Sequence, residues 1–186
     1  MRPARDLLFG HAVRLGALEE RDVPTIARWQ TGPFLRLYDA RPAVPRSETE
    51  VAEWLDDVRQ SEQTIAFAIR ALEDDRLLGT LELDSILWAH RVCGMGLAIG
   101  ERENWGRGFG SEAAALGLAF AFEELNLHRV TATVFAYNDR SIALVEKLGF
   151  RSEGAFREFL ERDARRYDML LYGLLRHEWH SGTRDR

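Results

Sequence analysis

Cysteine occurs once in 186 residues, at Cys93, so no internal disulfide framework holds the chain. A lone cysteine reads as a small buried apolar residue and fits a reducing, cytoplasmic setting. Proline is scarce, with five residues, and no Pro/Ser-rich linker, low-complexity tract or internal repeat divides the chain. No apolar run approaches the ~20 residues of a membrane span. Met1 to Gly10 is too short and too charged for a secretory signal. Basic charge is in deficit too: 25 Lys and Arg stand against 30 Asp and Glu, a net charge of −5. That balance argues against a nucleic-acid partner. It is mildly compatible with an amine-bearing one.

What remains is an ordinary globular composition, 46% hydrophobic and 30% charged. A chain this long buries roughly two thirds of its unfolded surface and needs no metal or disulfide staple. The expectation is a single domain over residues 1–186, with a core at about 11–179 and a loose tail at 180–186. Strand and helix signals alternate, which points to an α/β or α+β domain. Strands are expected at His11–Ala17, Thr64–Ala71, Leu77–Leu87, Cys93–Gly100, Arg129–Ala136, Phe150–Leu160 and Tyr167–His177. Asp22 is placed to cap a helix through Gln30, and Ser47-Glu48-Thr49-Glu50 reads as a capping box. Ser111 is expected to cap a helix to Asn126, and Asn138-Asp139 to lead into one over Ser141–Leu148. Thr31–Arg46, with Gly32, Pro33, Pro42 and Pro45, reads as a loop, and Glu161–Arg165 as a turn.

Glycine is unevenly spread: seven of the fifteen lie between Gly94 and Gly117. Gly94 and Gly96 interrupt a strand, a sign of a bulge or of close approach by a ligand. Trp105-Gly106-Arg107-Gly108-Phe109-Gly110-Ser111 follows it and opens a helix. Such a loop lets backbone amides converge beside the positive end of a helix dipole, a natural anion site. A P-loop requires a closing Gly-Lys-Ser/Thr, which is absent. A dinucleotide fingerprint has a different spacing and an earlier place in the fold. A glycine-rich turn with no ligand is the alternative.

This loop, together with Asn138-Asp139-Arg140-Ser141, Glu146-Lys147-Leu148-Gly149-Phe150, Glu153-Gly154 and Asp168, resembles the GNAT family of N-acetyltransferases. The similarity is to its RimJ/RimL-like branch, which acetylates ribosomal-protein N-termini. It covers Val13 to Trp179 and is densest from Gly96 to Phe150. It implies a mixed central sheet of about six to seven strands flanked by about four helices, with acetyl-CoA as co-substrate and no metal. Backbone from Gly106, Arg107, Gly108, Phe109, Gly110 and Ser111 would hold the pyrophosphate. Trp105 stands where the family pattern has Arg or Gln. Backbone at Leu97, Ala98 and Ile99 would bond the pantetheine arm as an added strand, and Asn138 would hydrogen-bond it. The Arg107 side chain is either a phosphate partner or a solvated arginine.

Acetyl transfer to an amine needs a neutral amine, a polarised carbonyl and a departing thiolate. The family places a Tyr near the position of Val145, which cannot donate a proton. The resemblance therefore turns to Ser141 as the hydroxyl, the alternative being a helix-capping role. Thr80, Glu82 and Asp84 share a strand face, and Glu82 is the candidate base or amine-binding group. The alternative is a solvated face. Cys93 has no evident catalytic partner, so direct attack in a ternary complex is expected. His177 and His180 lack a third ligand. Trp29, Phe34, Arg36, Tyr38 and Arg41 lie where the family shapes its acceptor pocket. The branch resemblance favours a protein N-terminal α-amine. A polyamine or aminoglycoside amine, or a catalytically silent acyl-CoA-binding module, are the other readings. The oligomeric state is not readable; small enzymes are often homodimers.

Overall fold

The computed structural model describes residues 6–179; the tail expected at 180–186, and His180 with it, lies outside the described residues. The strands are β1 (Val13–Gly16), β2 (Ile65–Ala71), β3 (Leu77–Leu87), β4 (Val92–Ile99), β5 (Arg129–Phe135), β6 (Arg151–Arg162) and β7 (Arg165–Leu175). The helices are α1 (Val23–Trp29), α2 (Gly32–Tyr38), α3 (Glu48–Gln60), α4 (Phe109–Ala119) and α5 (Asp139–Lys147). The seven strands form one mixed sheet in the order β1-β2-β3-β4-β5-β7-β6.

Local chemistry explains most of these elements. Ser47 Oγ accepts from Glu50 N at 3.2 Å while Glu50 Oε2 accepts from Ser47 N at 2.7 Å, closing the capping box that starts α3. β6 and β7 continue closer together than the expected turn allows, because Asp163 and Ala164 take left-handed φ of 51° and 58° and reverse the chain in two residues.

Other expectations are corrected. Thr31–Arg46 is not all loop: it contains α2, where Pro33 sits in the first turn that tolerates it and Leu35 is buried. Asp22 precedes α1, but its side chain does not cap that helix. Its carboxylate instead accepts from Glu19 N at 2.9 Å and from Arg70 Nη2 at 2.7 Å. Ser111 does not cap α4. Gly108 does, at φ +88°, so the helix begins at Phe109. It widens into a π-turn at Phe120–Glu124 before Asn126 is reached.

Apolar side chains line both sheet faces. On one, α4 packs closely enough that a Cβ on Gly117 would lie 2.7 Å from Leu81 Cδ1. On the other, Val23, Ile26 and Trp29 of α1 and Val51 and Leu55 of α3 cover Ala68.

The feature that positions the site is a split in the sheet. β4 and β5 run parallel but pair only at Val92–Arg129, Cys93–Val130 and Gly94–Thr131. Beyond Gly94, β4 continues against β3. Beyond Thr131, β5 continues against β7. The two halves part there, leaving strand edges facing a gap.

Candidate active site

The gap is a cleft of about 650 Å³. Its walls are Met95, Gly96, Leu97 and Ala98 of β4, Ala132 to Phe135 of β5, and Ser141, Leu144 and Val145 of α5. A second cleft of about 340 Å³ opens between α1, α2, α3 and β3, lined by Trp29, Phe34, Tyr38, Asp39, Arg41, Arg46 and Trp54. Tyr38, Thr80, Glu82 and Ala98 line both. These four residues mark where anything in one cleft meets anything in the other.

Strand register decides what β4 offers to the gap. Gly100 N donates to Leu78 O at 2.9 Å, and β3 and β4 are aligned as Gly79–Ile99, Thr80–Ala98 and Leu81–Leu97. Hydrogen-bonded and non-bonded pairs alternate in an antiparallel ladder. Ala98 therefore turns its N–H and C=O toward Thr80, while Leu97 and Ile99 turn theirs into the gap. A Cβ on Gly79 would lie only 2.0 Å from Ala98 O, which shows how closely that carbonyl approaches β3. Opposite Glu82, Gly96 has no atom within 4 Å of where a Cβ would stand. That position keeps the junction open.

At the far end of the gap the glycine loop turns into α4. Gly106 and Gly108 adopt φ of +73° and +88°, values at which a side chain is strained. Their turn brings Phe109, Gly110 and Ser111 into the first turn of α4, where backbone N–H groups lack helical partners. Arg107 leans over the Phe109 ring, 4.8 Å from its centroid, and Nη1 reaches Asn104 Oδ1 at 3.4 Å. Trp105 ties the loop down: its indole N–H donates to Ile99 O at 2.8 Å, and Arg140 stands over its ring at 4.9 Å. One of the two gap-facing groups of Ile99 is thereby used within the fold.

α5 contributes from the opposite wall. Asn138 caps it, Oδ1 accepting from Ser141 N at 3.3 Å, and its Nδ2 reaches Leu37 O at 3.5 Å. The capping role left open for Ser141 thus falls to Asn138, and Ser141 lines the larger cleft without lining the smaller one. Val145 is buried in the core.

Glu82 stands at the junction as the spacing of β3 requires. Burial raises its carboxyl above the usual range, the Asp84 charge adds to this, and Arg46 opposes it. Asp84 lies further along, facing Gly94. Cys93 is buried, and burial pushes its thiol up to about 12, so almost none is thiolate at neutral pH. Among the described residues, no group of His, Cys, Asp and Glu stands together to hold a metal ion, and no helix is long and apolar enough to cross a membrane.

The sequence pattern assigns no chemistry to Tyr38, because its segment reads as loop. The available signal is Phe34 and Tyr38 at helical spacing behind Pro33; their rings stand 4.7 Å apart. The same holds for Arg46.

Comparison with known proteins bears on this arrangement. An N-acetyltransferase from Bacillus licheniformis, p20, is 27% identical over 176 residues, 94% of this chain and 98% of that protein. The [ribosomal protein uS5]-alanine N-acetyltransferase of Escherichia coli strain K12 is 26% identical over 112 residues, 59% of this chain and 57% of that protein. Among solved structures, the spermidine N-acetyltransferase of Vibrio cholerae, crystallised with CoA and spermine, superposes with a TM-score of 0.82 at 24% identity, covering 90% of this chain and 97% of that one. The acetyltransferase (GNAT) domain family matches residues 13–151, from β1 through the split sheet and α5. The chain belongs to that family of acetyl-CoA-dependent N-acetyltransferases.

Proposed function

We propose that this enzyme acetylates the α-amine of a protein N-terminus by direct attack within a ternary complex. The observation that carries the choice of acceptor is the charge of the smaller cleft. Its lining holds two carboxylates, Asp39 and Glu82, and two guanidiniums, Arg41 and Arg46. Asp39 already pairs with both arginines, at 2.6 and 3.4 Å, which leaves Glu82 for an incoming amine. One ammonium is matched there; a polyamine with several is not. A peptide also brings carbonyls, which arginine side chains can bond. The uS5-alanine relative supports this reading. The spermidine enzyme supports only the shared fold.

The larger cleft fits acetyl-CoA. Backbone N–H groups from Gly106 to Ser111 hold the pyrophosphate at the N-terminus of α4. Trp105 keeps the loop against β4, and Arg107 adds positive charge nearby. Leu97 and Ile99 present the strand edge along which pantetheine lies, with Ala98 contributing its small side chain and Asn138 reaching from the opposite wall.

In the reaction, Glu82 takes the proton of the amine directly or through one water. Its raised pKa brings it nearer neutrality, where a base works best. An α-amine of pKa ~8 is partly neutral already, whereas a polyamine or lysine amine near 10.4 costs ~4–5 kcal/mol to deprotonate at pH 7. The nitrogen attacks the thioester carbon, the C–S bond breaks, and Ser141 on the α5 wall donates toward the leaving sulfur. A thiol of pKa ~8.5 needs little such help. Cys93, protonated and buried, takes no acetyl group.

Thiol release from acetyl-CoA, measured with alanine- and serine-starting peptides, spermidine and an aminoglycoside, tests the assignment. The peptides are expected to turn over with the highest kcat/KM. Faster turnover of spermidine or the aminoglycoside would overturn the N-terminal reading. CoA binding without turnover of any amine would identify a silent binding module instead.

A further inference from the structure

As an amine attacks a thioester, negative charge develops on the carbonyl oxygen, and donors already aimed at that oxygen lower the barrier. The reacting carbon must lie where the two clefts meet. Of the four side chains there, Ala98 donates nothing and Glu82 serves as an acceptor once ionised. Thr80 and Tyr38 are the remaining donors. Ser141 does not reach the smaller cleft, and Val145 has no polar atom.

Tyr38 differs from Thr80 in how it is held. Its hydroxyl lies beside the β4 edge at Ile99, whose N–H the strand register turns into the gap. A phenol carries one donor proton and acceptor lone pairs, so an N–H beside its oxygen leaves that proton free to donate elsewhere. The chain on both sides of Tyr38 is anchored from across the split. Tyr137 Oη donates to Arg36 O, Asn138 Nδ2 to Leu37 O at 3.5 Å, and Arg162 Nη2 to Asp39 O at 3.0 Å. Carbonyls at the C-terminal end of a helix lack intrahelical partners, and here side chains from the β5–α5 turn and β6 bind them. The end of α2, whose Phe34 packs against the α1–α3 cluster over β2, is thus also tied to the β5–β7–β6 half of the sheet, and positional accuracy of this kind is what transition-state stabilisation requires. Burial raises the phenol above its ordinary value against the pull of Ile99 and Arg140, which keeps it protonated and able to donate.

We propose that Tyr38 is a catalytic residue of the acetyl transfer, its O–H hydrogen-bonding the thioester carbonyl oxygen as the amine attacks. The nitrogen lone pair forms the C–N bond and the carbonyl π pair moves onto oxygen. That oxygen accepts the Tyr38 hydrogen bond but not its proton. When the C=O re-forms, the C–S pair departs with sulfur. The proton lost by nitrogen passes to Glu82, and sulfur leaves as a thiolate that Ser141 hydrogen-bonds and solvent protonates. The inference rests on the acetyltransferase chemistry and is independent of which amine is the acceptor.

The test is Tyr38→Phe, which keeps the ring and its contact with Phe34, assayed with whichever amine wild type turns over best. The expected result is a kcat reduced about 10²-fold, with CoA affinity within about twofold of wild type, since CoA lacks the carbonyl. Unchanged kcat, or a CoA affinity that falls in step with kcat, would overturn the proposal. So would Thr80→Val producing the loss in place of Tyr38→Phe. A second arm replaces Tyr38 by a fluorotyrosine, which preserves shape and acidifies the phenol. The alkaline decline of kcat then moves to lower pH, because the ionised phenol no longer donates; a decline that stays in place contradicts the role.

Discussion

Glu82 on β3 stands directly opposite Gly96 on β4, and the missing side chain at Gly96 leaves the space before the carboxylate open. Glu82 is expected to be active when ionised. Because burial raises its pKa, kcat should climb with pH through that raised value. Glu82→Gln should remove this limb and lower kcat by about 10²–10⁴-fold. The stability effect has the opposite sign. A carboxyl whose folded pKa is raised contributes fully below its unfolded pKa, and that stability is lost as pH rises through the folded value. Glu82→Gln should therefore melt at or above the wild-type temperature at neutral pH. A variant that is both inactive and destabilised there would contradict this account.

Gly108 should govern co-substrate affinity through backbone shape alone. Its φ is +88°, yet an added Cβ would meet nothing within 4 Å. Gly108→Ala should thus cost about 1–2 kcal/mol of left-handed strain. If the loop relaxes to escape that strain, its amides no longer converge. Calorimetric titration with CoA should show weaker binding, while the far-UV spectrum stays that of wild type.

The Asp22–Arg70 pair should dominate the stability of the β2 side. Its atoms are 2.7 Å apart with side chains 4% and 3% exposed. Asp22→Ala leaves the Arg70 guanidinium buried without its carboxylate, which typically costs about 3–5 kcal/mol. At about 2–4 °C per kcal/mol for a chain this size, Tm should drop on the order of 10 °C. A double replacement of Asp22 and Arg70 by apolar residues should recover much of that loss, because the unpaired charge is then gone.

Cys93 should be dispensable for turnover. Its thiol is pushed up to about 12 by burial and then by the Asp84 charge. Mass spectrometry after incubation with acetyl-CoA alone should find no acetylated protein. Cys93→Ala should retain kcat within about threefold, the cost of a small core cavity appearing in Tm instead.

Much of this was legible in the chain itself. Period-two spacing puts Thr80, Glu82 and Asp84 on one face. The glycines around Arg107 announce a turn with positive φ before a helix. The motifs from Asn138 to Phe150 point to the family. These signals are local, carried by backbone sterics or by spacing within one element. The Thr31–Arg46 segment failed for the converse reason: four glycines and prolines dominate its local signal, while α2 is stabilised by Leu35 in the core and by side chains more than a hundred positions away.

By itself, then, the sequence determined the order of strands, the glycine turn at the head of α4 and the face on which Glu82 stands. Tertiary structure alone decided three further things: that β4 and β5 part after Gly94 and Thr131, that the backbone N–H and C=O of Leu97 and Ile99, rather than those of Ala98, turn into the gap, and that Tyr38 joins Glu82 where the two clefts meet. Each depends on strand register or on contacts between distant segments, and these are set by the summed packing of the whole sheet, which no short stretch of chain encodes.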